Sequence, residues 1–487
     1  MGVVLEMGKA TTLIVFPASL HGGRWAAGPR VKPELVSMFT VLRRNGASVS
    51  VLDLENAIGN PGAADREAFL HNAEQRLAGV AAELIVVSCS SSLQYTASVA
   101  VADIVRRLHP RATIAVVGFH VSARPGDFAY EGSPFDIVVL GDPELALVEA
   151  AESVGGGGQP ATRQTCEGAM LDHSVKNAPE YTFYRYTVPN LPTLPVYLSR
   201  GCPYPRAACQ LRPGAPGWHA FTPDVVVSIV AELTALAPRR IDVLDPAFGL
   251  ETGWRTAVLQ RFKGDDDRRT VPLAITVRPE TLSREDVDGM YDARMHVRFD
   301  VDTLSVGLLE RTQAVYRPVA HVEKALDLLR YANAKGISGE LSLVFNQPGE
   351  TVETAAETLE RLEEFGASLP NASLKVRASS WAFYPYADHE ADIMVPQQRY
   401  GTRILHPEWW REGMRSERAA TAVVASRELE DREPGDETYW RPRFDRVAGE
   451  IAAKLTAEAR RGLRSHEWEG SSATGVPHGY WVEPRWH

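Results

Sequence analysis

Short apolar, β-branched runs alternate with amphipathic stretches along most of this chain. Runs at 11–17 (TTLIVFP), 48–54 (SVSVLDL), 84–88 (LIVVS), 113–119 and 135–140 have the length and composition of buried strands. Stretches at 33–46, 65–77, 98–109 and 143–154 carry apolar residues at helical spacing. The first has Pro33 near its first turn and Gly46 as its stop; the third is closed by Pro110. Strand and helix in strict alternation predict an open parallel sheet with helices on both faces.

A second series follows a change of composition. Residues 155–165 (GGGGQPATRQT) are rich in Gly, Thr and Gln and read as a linker that extends to 194. Strands are then predicted at 196–200, 240–244, 273–277, 296–301, 340–345 and 374–378. Helices are predicted between them at 223–236, 252–262, 284–293, 322–335 and 352–365. Thr222-Pro223 supplies a cap and a first-turn proline. Six strands with intervening helices predict a partial (β/α)6 barrel, with chemistry at the carboxyl ends of its strands. From Trp381 onward the pattern becomes aromatic and irregular, and 444–463 reads as one more amphipathic helix. The expected architecture is therefore α/β: a Rossmann-like doubly wound domain at 1–154, a linker at 155–194, a TIM-like partial barrel at 195–390 and a helical extension at 391–487.

Composition narrows the function classes. Of 487 residues, 44% are hydrophobic and 23% charged, ordinary for a globular protein. A net charge of −10 argues against general binding to nucleic acid or to an anionic membrane. The apolar runs fall well short of the roughly 20 residues needed to span a bilayer. No secretory signal is visible at the N-terminus. Four cysteines in so long a chain form no disulfide framework, and a reducing, cytoplasmic setting is expected. A small-molecule ligand is the expected partner.

The candidate chemistry sits at the predicted strand ends, where open α/β sheets bind ligands. The first series ends in Ser19-Leu20-His21-Gly22-Gly23, in the polar run Ser88-Cys89-Ser90-Ser91-Ser92, in Gly118-Phe119-His120-Val121-Ser122 and in Gly141-Asp142-Pro143-Glu144. No G-x-G-x-x-G follows the first strand, which disfavours a dinucleotide. The second series opens with Ser199-Arg200-Gly201-Cys202-Pro203-Tyr204, with a second cysteine at Cys209. It continues with Asp300-Val301-Asp302-Thr303-Leu304-Ser305 and Phe345-Asn346-Gln347-Pro348-Gly349-Glu350-Thr351.

These motifs, in this order, resemble the cobalamin-dependent radical S-adenosylmethionine (radical SAM) superfamily. Residues 11 to about 150 resemble its cobalamin-binding domain. Residues from about 195 to 390 resemble its radical SAM domain, matching "S-R-G-C-P-Y", "G-L-D-T-L-S" and "F-G-G-P-G-E-T". The resemblance implies cobalamin as cofactor, held by Ser19, His21, Ser88, Ser90, Ser92, Gly118, Phe119, His120, Gly141 and Asp142. A corrin needs a broad apolar seat and its nucleotide tail a slot lined by small residues; Gly and Ser at strand ends suit the slot. The aspartate that would orient His21 is absent, so His21 reads as a loop histidine beside the corrin rather than a cobalt ligand. The family's commonest activity is methyl transfer to carbon. Rival readings are a rearrangement or redox reaction at cobalt, or a non-catalytic cobalamin carrier or sensor.

The chain departs from the family at its chemical centre. Three cysteines, C-x3-C-x2-C, normally hold a four-iron, four-sulfur cluster that binds S-adenosylmethionine. Here Cys202 and Cys209 remain as the expected ligands, and Arg206 stands in the middle. Arginine stays protonated and does not ligate iron, which puts the cluster in doubt. Four readings stay open. Another group, such as Cys166 or His219, completes a cluster. Arg206 replaces the cluster and pairs with a carboxylate of the substrate or of S-adenosylmethionine. The loop is a structural remnant. Or the change abolished activity. Without a cluster, polar transfer is favoured, and it needs a base: Asp245 and Asp302, at predicted strand ends, are the candidates. Asp245 reads equally as a helix cap or an arginine partner, Glu350 as a loop-ordering residue, Arg278 as an anion contact or an ion pair, and Cys89 as a packing residue. An external reductant is a further implied partner.

Overall fold

In the computed structural model the described residues are 10–18, 31–59, 66–158, 164–169, 179–181, 193–202, 217–263, 271–385, 389–411, 419–457 and 459–460. Ser19, His21, Arg206 and Cys209 lie outside them.

The first series builds a parallel six-stranded sheet. In chain order it runs β1 (Thr11–Phe16), α1 (Pro33–Arg44), β2 (Ser48–Asp53), α2 (Leu54–Ile58), α3 (Arg66–Ala78) and β3 (Leu84–Ser88). It continues through α4 (Tyr95–Leu108), β4 (Thr113–Val117), α5 (Phe119–Ala123), β5 (Ile137–Leu140), α6 (Glu144–Gly155) and β6 (Gln164–Glu167). The strand order is β2-β1-β3-β4-β5-β6. The order reverses between β1 and β3, the place where such sheets open a crevice. Strands β3 and β4 are buried along their whole length, because helices cover both faces. One face packs Leu13, Val87 and Val116 under α3 and α4; the other packs Ile14, Val86 and Ala115 under α1 and α6.

β6 lies inside the segment read as a linker. Its sequence, Gln164-Thr165-Cys166-Glu167, is polar and mostly exposed, so it lacks the alternation that marks a strand. It is recruited by its neighbour: Val139 stands opposite Cys166 at the sheet edge. That places Cys166 in the first sheet, packed against the core beneath α6.

The second series begins with β7 (Thr193–Val196), β8 (Ser199–Arg200), β9 (His219–Ala220) and α7 (Pro223–Ala235). It continues with β10 (Arg240–Val243), α8 (Thr252–Lys263), β11 (Leu273–Val277), α9 (Arg284–Asp292), β12 (His296–Asp302), α10 (Val306–Thr312) and α11 (Pro318–Lys335). β13 (Gly339–Phe345), α12 (Val352–Ser368) and β14 (Leu374–Ser380) complete it. The order β14-β13-β12-β11-β10-β7 is strictly sequential and every pairing is parallel. This is the predicted partial barrel. The strand expected over 196–200 is broken in two: β7 joins the sheet, while β8 turns away to pair antiparallel with β9.

On the barrel strands apolar residues such as Val297, Phe299, Leu341 and Leu343 face the helices. The opposite face is polar and half-buried, with Arg298, Asp300, Ser342 and Arg377 in adjacent positions. Arg377 Nε donates to Glu340 Oε1 at 2.8 Å. The chain ends in α13 (His389–Tyr400), the hairpin β15 (Arg403–Ile404) and β16 (Val423–Val424), and α14 (Arg441–Ala453). The helix read as 444–463 thus begins earlier, at a proline-containing first turn. It is part of the barrel core: Trp440 stacks on Phe345 at 4.4 Å, and Phe444, Val447 and Ile451 are buried with it. No helix among the described residues is long and apolar enough to cross a membrane.

Candidate functional site

A cavity of about 120 Å³ lies outside the carboxyl ends of β3, β4 and β5, beside α1. Six of the predicted cofactor residues line it: Ser88, Ser90, Gly118, Phe119, Gly141 and Asp142. They are separated by more than 50 positions in the chain and are brought together only by the parallel pairing of their strands. Local geometry holds them. Ser88 and Ser90 share a hydroxyl–hydroxyl hydrogen bond of 2.9 Å. Ser90 N donates to Gln94 Oε1 at 2.9 Å. Ser122 Oγ donates to the Gly118 carbonyl and accepts from Gly141 N, tying the β4 loop to the β5 loop. Gly118 has φ +124°, and a Cβ there would stand 2.6 Å from the Cys89 carbonyl oxygen. Its small size therefore serves backbone packing as well as the cavity.

The second domain closes this cavity. Tyr197, Arg200, Gly201 and Pro246 complete the lining, and all lie on or beside the loop that leads to Cys202. Arg200 reaches across to the Gly141–Glu144 turn. Its Nη1 is 3.0 Å from Asp142 Oδ1, and its Nη2 donates to Glu144 Oε1 at 2.6 Å and to Ser37 Oγ at 3.0 Å. Ser37 in turn donates to Glu144. Burial disfavours the charge on Arg200, but Glu144 and Asp142 outweigh it and raise the guanidinium pKa further. The arginine of S-R-G-C and the acids of G-D-P-E are thus one buried ion cluster joining the two domains. Sequence reasoning held both motifs but not their pairing.

Asp245 explains why 196–200 is not one strand. Its Oδ1 accepts from Leu198 N at 2.8 Å and from Ser199 N at 3.0 Å, and its Oδ2 accepts from Ser199 Oγ at 2.6 Å. The carboxylate captures backbone donors that a continuing strand would have used. Burial pushes the Asp245 carboxyl up to about 7, against the lowering effect of those hydrogen bonds. The residue orders the approach to the cysteine loop and caps no helix. Gly201 follows with φ +77°; a Cβ would lie 2.0 Å from the Gly217 carbonyl oxygen, so the β8–β9 hairpin closes only on glycine. Cys202, half-buried, comes next. His219 stands opposite Arg200 on β9, with its Nε2 3.6 Å from Asp142 Oδ2. Among the described residues no group of three or more His, Cys, Asp or Glu could hold a metal ion.

The remaining predicted residues lie elsewhere. Ser92 and His120 are absent from the cavity lining. His120 is fully buried; its Nδ1 is 2.9 Å from Ser92 Oγ and its Nε2 3.2 Å from Asp127 Oδ2. Trp410 Nε1 donates to the same Asp127 oxygen at 2.8 Å, and Arg411 pairs with Oδ1. Burial would raise the Asp127 pKa, but His120 and Arg411 outweigh it and hold the carboxyl at about 2. Burial is the main cause that lowers the His120 pKa, with Arg124 and Arg411 acting the same way against the raising effect of Asp127. His120 therefore fastens α5 to the C-terminal extension.

Asp302 ends β12 at a register shift, with φ +63°, and its carbonyl accepts from Gln347 Nε2 at 3.5 Å. Ser305 of the same motif caps α10 by accepting from Leu308 N at 2.9 Å. Glu350 is buried, and its Oε1 accepts from Asn346 N at 2.7 Å and from the Tyr439 hydroxyl at 2.8 Å. Burial is the main cause that pushes its pKa up to about 8. Arg278 pairs with Glu280. Cys89 is fully buried in the core, and burial pushes its thiol up to about 12, which leaves it an unreactive packing group.

Some residues of the cavity were not singled out in the sequence. Glu34 and Met38 on α1 line its inner wall. An acid after Pro33 reads simply as a favourable first-turn charge, and nothing local says that it faces a ligand.

The two α/β domains, each built on a parallel sheet, with a cavity between them, share their fold with a radical SAM methyltransferase of known structure. Similar solved structures include those of the radical SAM methyltransferase TsrM from Kitasatospora setae. The form with tryptophan and a SAM analogue bound superposes with a TM-score of 0.65 at 16% identity, over 92% of this chain and 89% of that one. The form with cobalamin and a [4Fe-4S] cluster gives 0.60 at the same identity and coverage. No protein-family model and no curated protein sequence matches the chain.

Proposed function

We propose that this chain is a cobalamin-dependent enzyme that transfers a methyl group to a small molecule. The observation that carries the reading is the cavity. Serines and glycines at three strand ends converge on it, and the loop bearing Cys202 closes it through Arg200. The fold similarity to TsrM, whose structures hold cobalamin, a [4Fe-4S] cluster and a SAM analogue, supports the same reading. The donor set fits a corrinoid: hydroxyls and backbone amides at the strand ends suit its amide-bearing rim and tail.

Cobalamin, when bound, supplies a cobalt-held methyl group. Ser88, Ser90 and Gly141 would hold its periphery, while Tyr197 and Gly201 exclude water from the domain junction. Arg206 in place of the middle cysteine favours polar transfer, with the guanidinium pairing a carboxylate of S-adenosylmethionine or of the substrate. Asp245 is engaged by Leu198 and Ser199. It serves as a positioning residue, which leaves Asp302 as the candidate base. Natural-product biosynthesis is the setting such an enzyme suits.

The test is anaerobic purification with corrinoid reconstitution. Corrinoid absorbance at one equivalent per chain supports the reading, and no corrinoid under any condition sinks it. Four irons with matching sulfide would overturn the cluster-free form. Conversion of methyl-labelled S-adenosylmethionine to its demethylated product marks the transferase, whereas bound corrinoid without turnover marks a carrier.

A further inference from the structure

The cavity between the domains is closed on one side by a short stretch of chain. Tyr197, Arg200 and Gly201 line it from the second domain, together with Pro246. β8, which carries Arg200, is two residues long and lies outside the six-stranded sheet, paired only with β9. The preceding Leu198 and Ser199 are held within their own domain by Asp245. Arg200 is held differently. Among the described residues, every ion pair and hydrogen bond of its side chain crosses to the first domain. Its Nη1 is 3.0 Å from Asp142 Oδ1 and 3.2 Å from Glu144 Oε2, and its Nη2 is 2.6 Å from Glu144 Oε1 and 3.0 Å from Ser37 Oγ. Arg200, Asp142 and Glu144 all line the cavity, so the ion cluster is itself part of the wall.

That wall leaves a space of about 120 Å³. Sites that take drug-sized molecules run to roughly 300–1,000 Å³, and a corrinoid is larger than those molecules. On the cobalamin reading, to which this inference is tied, the closed arrangement admits neither the macrocycle nor its tail. Part of the wall must therefore move. The first-domain side is braced: Gly141 N donates to Ser122 Oγ at 2.9 Å, and Glu144 opens α6. The Arg200 side chain has no such brace in its own domain and reaches across the gap. We propose that Arg200 is a latch: its guanidinium holds the cavity shut against Asp142 and Glu144, and a corrinoid enters only when it lets go. A ligand that fits only the released state binds with its intrinsic affinity lowered by the fraction of molecules released. Entry is slow as well, because a largely buried arginine must first leave two carboxylates.

The test is stopped-flow mixing of the full chain with aquacobalamin, read by quenching of tryptophan emission. In the native chain the observed rate is expected to rise with corrinoid and then level off at the rate of release. Arg200→Gln removes the charge and shortens the side chain. Its ceiling is expected to lie on the order of tenfold or more higher, with final affinity equal or tighter. Ser37→Ala keeps every charge and removes one hydrogen bond from Arg200. It is expected to raise the ceiling roughly two- to tenfold, and it carries the test if Arg200→Gln does not fold. A native rate that stays linear in corrinoid, or a ceiling unchanged in the folded variants, overturns the latch and leaves the cobalamin reading standing. Slower or weaker binding by the variants also overturns it, since a purely structural tie or a direct contact to the ligand predicts that result. No corrinoid bound by the native chain overturns the cobalamin reading together with the latch.

Discussion

At the scale of single residues, the chain places carboxylates where backbone needs an acceptor. Glu350 is the clearest case. It accepts from Asn346 N and from Tyr439 inside the protein, with its pKa pushed up to about 8 by burial. An acid with a raised folded-state pKa is most stabilising when protonated. Its contribution is complete below about pH 4.5 and is lost as pH rises through about 8. Glu350→Gln keeps the acceptor and removes the titration. The variant is expected to melt closer to the native protein at pH 5 and above it at pH 9, in thermal scans at both values. A parallel fall of both proteins between those values would refute this. Asp245→Ala, by contrast, strips acceptors from Leu198 N, Ser199 N and Ser199 Oγ at once. It should cost about 2–3 kcal/mol or more in urea denaturation, because buried donors are left unpaired.

At the scale of elements, one turn and one hairpin decide how the domains meet. The Gly141–Glu144 turn presents Asp142 and Glu144 to Arg200 on β8. Removing one partner of such a buried cluster typically costs about 3–5 kcal/mol, because the other charge stays buried. Arg200→Ala is expected to destabilise by that order. The Arg200→Met, Glu144→Met pair is expected to recover part of it, as seen in urea melts of the single and double variants. Fully additive losses would show that the two do not act as a pair. Gly201→Ala meets a harder limit, since its Cβ collides with the Gly217 carbonyl oxygen and its φ is left-handed. That variant should lose the ordered approach to Cys202, detectable as faster modification of the thiol.

At the scale of the whole molecule, the C-terminal region ties the two α/β domains together. Asp127 of the first domain accepts from Trp410, pairs with Arg411 and faces His120. Trp410, Trp409 and Trp381 form an aromatic cluster with Leu93, which also comes from the first domain. Asp127→Ala removes one acceptor from Trp410 Nε1 and one from Arg411, which keeps Glu408. It is expected to lower stability by about 3–5 kcal/mol and to open residues 389–411 to limited proteolysis. A variant whose cleavage pattern matches the native protein would show that the tie lies elsewhere.

The order of elements was legible in the sequence because each strand is a short apolar, β-branched run and each helix a stretch of period 3.6. Those periodicities are local, and burial on two faces enforces them. The predicted strand 273–277 is β11 to the residue, and the helix predicted at 284–293 is α9 within one. Motifs placed Ser88, Ser90, Gly118 and Gly141 at strand ends, and parallel pairing brought them to one cavity. Three things were decided only by tertiary structure. β6 is a strand because an edge was open beside β5, not because Gln164–Glu167 prefers one. The run over 196–200 breaks because Asp245, some 46 residues on, takes its backbone donors. His120 looks like a loop residue of a binding motif but turns inward to Asp127, the same carboxylate that holds the Trp410 indole from 283 positions away. Sequence pattern records what a residue prefers along its own element. Which distant group satisfies a buried donor or acceptor depends on where the chain brings the two together, and no local pattern carries that.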